Sequence, residues 1–151
     1  MRKSAIAAAV LAWVAASPAL AAPGLAGEIY GAQVEQGEFE IEAIWGALDG
    51  GADDGENAVR IEASYGVSEH LRIGVQAEFE REPGERRKAE ELGIEAIYEL
   101  GSAGGIEFAL YGEYAFGLNG NADKVETKLL LQHARGPFDL RLNLIAGKEL
   151  E

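Results

Sequence analysis

The stretch LRIGVQAEFE, residues 71–80, alternates without a fault. Leu71, Ile73, Val75, Ala77 and Phe79 fall on one parity. Arg72, Gln76, Glu78 and Glu80 fall on the other, with Gly74 among them. Successive side chains of a strand point to opposite faces, so this segment carries one apolar face and one charged face. A sheet in water turns the apolar face inward, whereas an outer-membrane barrel turns it outward to lipid around a polar lumen.

The same period-two pattern recurs along the chain. In GEFEIEAIWGAL (37–48), Phe39, Ile41, Ala43 and Trp45 alternate with Glu38, Glu40, Glu42 and Gly46. In NAVRIEASYGV (57–67), Val59, Ile61, Ala63, Tyr65 and Val67 alternate with Arg60, Glu62, Ser64 and Gly66. GGIEFALYGEYAFGL, KVETKLLLQH and FDLRLNLIAG continue it. KAEELGIEAIYELG (88–101) reads as a strand or as an amphipathic helix. The helix would strand Ile94 and Tyr98 among glutamates, so a strand is expected. Seven strands follow, near 38–48, 58–67, 71–80, 89–100, 106–118, 124–133 and 138–149. Each is about the 9–11 residues that a tilted strand needs to cross a bilayer.

Connections alternate in length. SEH (68–70), GSAGG (101–105) and ARGP (134–137) are short; DGGADDGEN (49–57), REPGERRK (81–88) and NGNAD (119–123) are mostly longer and more polar. Short turns at one end and longer loops at the other are the asymmetry of outer-membrane barrels. Gly46, Gly66, Gly74 and Gly93 all lie on the charged parity, where the inside of a curved sheet needs room. Phe39, Trp45, Tyr65, Phe79, Phe116 and Phe138 sit towards strand ends on the apolar parity, as interfacial girdles do.

The N-terminus is of another kind. Arg2 and Lys3 precede the apolar run AIAAAVLAWVAA (5–16), and small residues at Ala19 and Ala21 complete a secretory signal pattern. That core is too short for a membrane-spanning helix. The expected organisation is a signal peptide at 1–21, an N-terminal segment at 22–37 and a β-barrel domain at 38–151. Removing 1–21 takes Arg2 and Lys3 and no acid, leaving 11 basic against 26 acidic residues and a formal charge of −15. Such a charge argues against nucleic acid as a partner. There is no cysteine, so disulfides and thiolate chemistry are excluded.

GEFEIEAIWG, YGVSEHLRIGVQAEFEREPGE, GIEFALYGEYAFGLNG and GPFDLRLNLIAGKEL together resemble proteobacterial outer-membrane transporter-like proteins related to the MetA-pathway phenol-degradation family. The resemblance spans most of the chain after the signal peptide. It is carried by Y-G-[VL]-[ST]-x-x-L followed by alternation. It implies a barrel and, loosely, transport; it assigns no functional residue. Members of the family are longer than this chain.

No catalytic constellation is evident. His70 lies in a turn, His133 on the apolar parity, and nothing aligns Ser64, Ser68 or Ser102 with either. No enzyme activity and no cofactor are expected. Asp49, Asp53, Asp54 and Glu56 share a glycine-rich loop, but their spacing does not match a calcium loop, so no metal site is assigned. The lumen is expected to be lined by Arg60, Glu62, Arg72, Gln76, Glu78, Glu95, Glu99, Glu107, Glu113, Glu126, Lys128 and Arg141. The register puts Arg60 opposite Glu78 and Glu99 opposite Glu107. Acid excess there favours cations if water passes.

The sequence therefore predicts an all-β antiparallel up-and-down meander of about seven or eight strands, forming a transmembrane β-barrel in the outer membrane of a Gram-negative bacterium. Its partners would be lipid and a small solute or cation. A soluble periplasmic barrel holding an apolar ligand, with its glutamates outside, and a structural membrane barrel with a sealed lumen are the alternatives. Bacterial single-chain barrels have even strand numbers. Seven strands predict an open sheet with 38–48 and 138–149 as free edges, and a gene that continues past residue 151. Segment 25–34, LAGEIYGAQV, is the candidate for an eighth strand.

Overall fold

Seven strands in a single antiparallel sheet, ordered as in the sequence, make up the fold in the computed structural model, which describes residues 26–51 and 53–150. The expected signal peptide lies outside the described residues, as do residues 22–25. The strands are β1 (Phe39–Ala47), β2 (Asn57–Ser68), β3 (Leu71–Arg81), β4 (Lys88–Ala103), β5 (Ile106–Gly117), β6 (Asp123–Arg135) and β7 (Phe138–Leu150). The sheet curls into a half-barrel, and the described residues contain no helix. The ambiguous run at 88–101 is strand, as expected. Among the described residues β1 pairs only with β2 and β7 only with β6, so neither outer edge has a partner there. With seven antiparallel strands those two edges run in the same direction.

The turns explain the register. β2–β3, β4–β5 and β6–β7 are joined by two residues each, whereas 48–56, 82–87 and 118–122 connect the other end. Gly104 and Gly105 both have positive φ (63° and 81°), which a type I′ hairpin turn requires. Gly136, at φ 60° before Pro137, supplies the first position of a type II′ turn. Arg60 pairs with Glu78 as the sequence predicts. The expected Glu99–Glu107 pairing is corrected. The turn closes tightly on Gly104–Gly105 and a bulge falls between Glu99 and Gly101, so Glu99 faces Ala109 and Glu107 faces Ser102. A second bulge between Glu78 and Phe79 leaves Glu90 out of the β3–β4 ladder.

Curvature gives the two faces opposite characters. Phe39, Ile41, Trp45, Val75, Ile94 and Leu142 point to the convex side and are 53–67% exposed. Arg60, Glu62, Gln76, Glu95, Lys128 and Gln132 point to the concave side and are buried. Aromatics form two rows on the convex face. Phe39, Tyr65 and Phe138 lie at the short-turn end, and Trp45, Phe79 and Phe116 lie at the long-loop end. Along β1 the rows are six residues apart, about 20 Å at a strand's rise.

Segment 25–34 is not an eighth strand. Its described part, from residue 26, runs without ladder pairing across the concave face, burying Ala26, Tyr30, Ala32 and Val34. The reason is chemical. Tyr30, Ala32 and Val34 find an apolar patch made by Ile97, Ala109, Tyr111 and Leu130 on the otherwise charged face. An edge position would leave that patch wet.

Gly66 admits the chain that links this segment to β1. The Gly37 amide donates to the Gly66 carbonyl and the Gly66 amide to the Glu38 carbonyl, at 2.8 and 2.9 Å. A Cβ at residue 66 would overlap the Glu35 carbonyl oxygen, which is backbone and cannot swing away. Gly66→Ala is therefore expected to cost about 1–3 kcal/mol, the usual range for overpacking. Its signature would be early proteolytic cleavage within 26–37, before any cut in the strands.

Candidate functional site

The alternation that makes the strands also builds the concave site. One parity of β2 delivers Arg60 and Glu62. The matching parities of β3, β4, β5 and β6 deliver Gln76, Glu95, Tyr111 with Glu113, and Lys128. Glycine makes the packing feasible. A Cβ at Gly74 would sit 2.7 Å from a Glu95 carboxylate oxygen, and one at Gly93 would press on Gln76 and Glu113. The glycines on the charged parity are thus spaces for neighbouring polar side chains.

Tyr30 enters this cluster from the N-terminal segment. Its ring stacks on Tyr111, with centroids 4.7 Å apart. Lys128 Nζ lies 4.6 and 4.5 Å from the centroids of the two rings, within cation–π range. The Tyr30 hydroxyl accepts from Arg60 at 2.8 Å and lies 2.8 Å from Glu95 and 3.0 Å from Glu62. Tyr111 donates towards Glu95 at 3.0 Å and also contacts Glu113. The Arg60 guanidinium lies 3.4, 3.8 and 3.9 Å from Glu95, Glu113 and Glu62, and that of Arg72 lies 5.9 Å from the Tyr30 ring centroid. Burial pushes the Tyr30 hydroxyl well above its ordinary range, so it stays neutral among these charges. Burial, and then Glu42, raise the Glu28 carboxyl beside it.

The other residues expected in the lumen are also on the concave face, in separate roles. Glu99 accepts from the Val34 amide at 3.2 Å, and Glu107 from Gln33 at 2.8 Å. Both acids whose mutual pairing was corrected therefore hold the N-terminal segment. Arg72 pairs with Glu40 at 3.1 Å, Arg141 with Asp139 at 2.9 Å, and Lys128 with Glu126 at 3.0 Å. Glu78 faces Glu91 across the β3–β4 pair. Gln76 bonds to Glu113 and, at 3.4 Å, to Glu91.

Between the free edges, a polar cleft of about 610 Å³ runs over the outer side of the N-terminal segment. Glu28, Glu35, Glu38, Glu40 and Glu42 line it together with Arg72 and Arg141. Elsewhere the candidates for chemistry are dispersed. His133 Nδ1 is tied to the Gly105 carbonyl at 2.7 Å, and the His70 amide donates to Ser68 Oγ at 3.3 Å. In the acidic loop, Asp54 accepts from the Gly50 amide at 2.9 Å. No group of three or more His, Asp or Glu suited to a metal ion occurs among the described residues.

Sequence reasoning placed Arg60, Glu62, Glu95 and Lys128 on one face but not Tyr30 and Tyr111 among them. Compared with family models, curated proteins and solved structures, the chain matches none.

Proposed function

We propose that this chain forms the wall of an outer-membrane β-barrel, with its convex face in lipid and an acidic interior that favours small cationic or neutral solutes. One observation carries the reading: the large apolar side chains are exposed on the convex side while the ionic ones are buried on the concave side. A continuous exposed apolar face of this kind marks a membrane or partner surface rather than a water-facing one. The two aromatic rows and the division into short and long connections support it. A soluble barrel enclosing an apolar ligand has the distribution against it, since its glutamates would have to lie outside.

The sealed-lumen reading is favoured by a different observation. Tyr30 is 1% exposed and fills the middle of the concave face. Fractionation followed by electrophoresis with and without boiling tests the membrane assignment. The protein is expected in the outer-membrane fraction, with a mobility that changes on boiling; recovery in the periplasmic extract would overturn the reading. In planar bilayers any current should favour cations, because the cleft holds more acids than bases. Anion selectivity would contradict the charge argument, and silence would favour the sealed wall.

A further inference from the structure

The N-terminal segment is held in an unusual way for a piece of a β-sheet protein. It forms no backbone ladder with either free edge. Side chains grip its backbone instead. Asn143 Oδ1 accepts from the Tyr30 amide at 2.8 Å, and Asn143 Nδ2 donates to the Tyr30 carbonyl at 3.0 Å. Gln132 accepts from the Ala32 amide at 2.8 Å, and Glu99 takes the Val34 amide. Alternate side chains, Tyr30, Ala32 and Val34, enter the apolar patch. Tyr30 is the deepest, with its ring against both Tyr111 and Lys128 and its hydroxyl on Arg60.

These are the elements of peptide recognition: backbone contacts for affinity, alternating pockets for specificity, and one aromatic anchor. The receptor also follows the rules of a binding site. Its groups come from β2, β4, β5, β6 and β7, elements whose mutual pairing does not involve the segment. Removing the segment breaks no strand–strand hydrogen bond. It would uncover Arg60, Glu62 and Glu95, which surround the Tyr30 hydroxyl.

We propose that the concave face is a binding groove for an extended, tyrosine-anchored peptide, and that residues 28–34 are its resident, exchangeable occupant. The segment is a plug held in cis at the high effective concentration its short connection to β1 provides. A free peptide of the same pattern competes for the groove whenever the resident one leaves. The groove does not depend on lipid around the convex face, so failure here and failure of the membrane assignment are separate results.

The test uses the full chain in detergent micelles and a fluorescent peptide of sequence GEIYGAQVEQ, residues 27–36. Ala32 is fully buried, so Ala32→Arg expels the resident segment without altering a groove residue. That variant is expected to bind the peptide at least tenfold more tightly than the unmodified chain. A peptide with alanine in place of its tyrosine should bind at least tenfold more weakly. A folded Ala32→Arg chain, shown by an unchanged strand spectrum, that fails to bind, or that binds both peptides alike, would overturn the proposal. Should that variant not fold, Gly31→Cys/Arg141→Cys provides the second arm: a Cβ at residue 31 would lie 3.5 Å from the Arg141 guanidinium carbon, Arg141 makes none of the groove's hydrogen bonds to the segment, and the chain has no other cysteine. Bridged by a reducible bis-thiol linker, this chain should take up no peptide, and reduction should restore uptake. Equal uptake in both states would contradict an exchangeable plug.

Discussion

Val75→Arg should be almost neutral in water and costly in a bilayer. Val75 is 57% exposed on the convex face. If that face meets water, the new guanidinium is solvated and the change stays within about 0.5 kcal/mol, as for ordinary surface positions. If it meets lipid near mid-strand, the cost is about 2–4 kcal/mol. Leu142→Arg, at a comparable exposure on β7, should behave alike. The measurement is urea unfolding of the protein refolded into vesicles and, in parallel, in a detergent-free soluble state if one exists. The expected result is a large loss in vesicles. Two neutral arginines in vesicles would argue for a wetted face. Gln76 is not a suitable neutral control, although its parity is polar. It is buried between Glu91 and Glu113, and its amide fills the space over Gly93. Glu38, exposed in the cleft just before β1, is a better site for exchange on the concave side.

The second large effect is expected at Arg60. It supplies the positive charge nearest to Glu62, Glu95 and Glu113, and it donates to Tyr30. Arg60→Met keeps much of the side chain's bulk but leaves three buried carboxylates facing one another. Breaking a buried ion pair from one side costs about 3–5 kcal/mol, most of it the uncompensated charge that remains. Two further variants separate charge from packing. Arg60→Met/Glu95→Gln should recover part of the loss, because an acid is removed with the base. Glu95→Gln alone should cost less than Arg60→Met, since Tyr30 and Tyr111 can still bond to an amide. Equilibrium unfolding of the three variants is the check. A double variant as unstable as Arg60→Met would mean that packing, not charge, sets the loss.

The strands and their facing were legible because one rule, alternation, governs both the local conformation and the burial of each residue. The 88–101 run shows its reach: Ile94 and Tyr98 decided for a strand, and both point to the convex side of β4. The bulges were not legible. In GSAGG, three glycines could each take a turn position, and only the pairing of Gly104 with Gly105 fixes which do. The register that follows moves the partner of Glu99 two residues on, from Glu107 to Ala109. The N-terminal segment was missed for another reason. Its docking depends on side chains from 30 to 113 residues away, as in the Tyr30–Arg60 and Tyr30–Asn143 bonds, and no local period encodes such distances. A signal was nevertheless present. Ile97, Ala109, Tyr111 and Leu130 are apolar residues on the charged parity of their strands, and an apolar patch on a polar face needs a cover. Ala26, Tyr30, Ala32 and Val34, on one parity of a segment without a partner, are that cover.

The central claim is that the convex face meets lipid, and Trp45 can report on it directly. The chain has two tryptophans, Trp13 and Trp45, so protein produced without residues 1–21 keeps Trp45 alone. Trp45 is 67% exposed, near the long-loop end of β1, on the convex side. In vesicles whose lipids carry bromine on the upper acyl chain, its fluorescence should be strongly quenched, and aqueous acrylamide should quench it little. Strong quenching by acrylamide with no effect of brominated lipid would place the convex face in water and contradict the account.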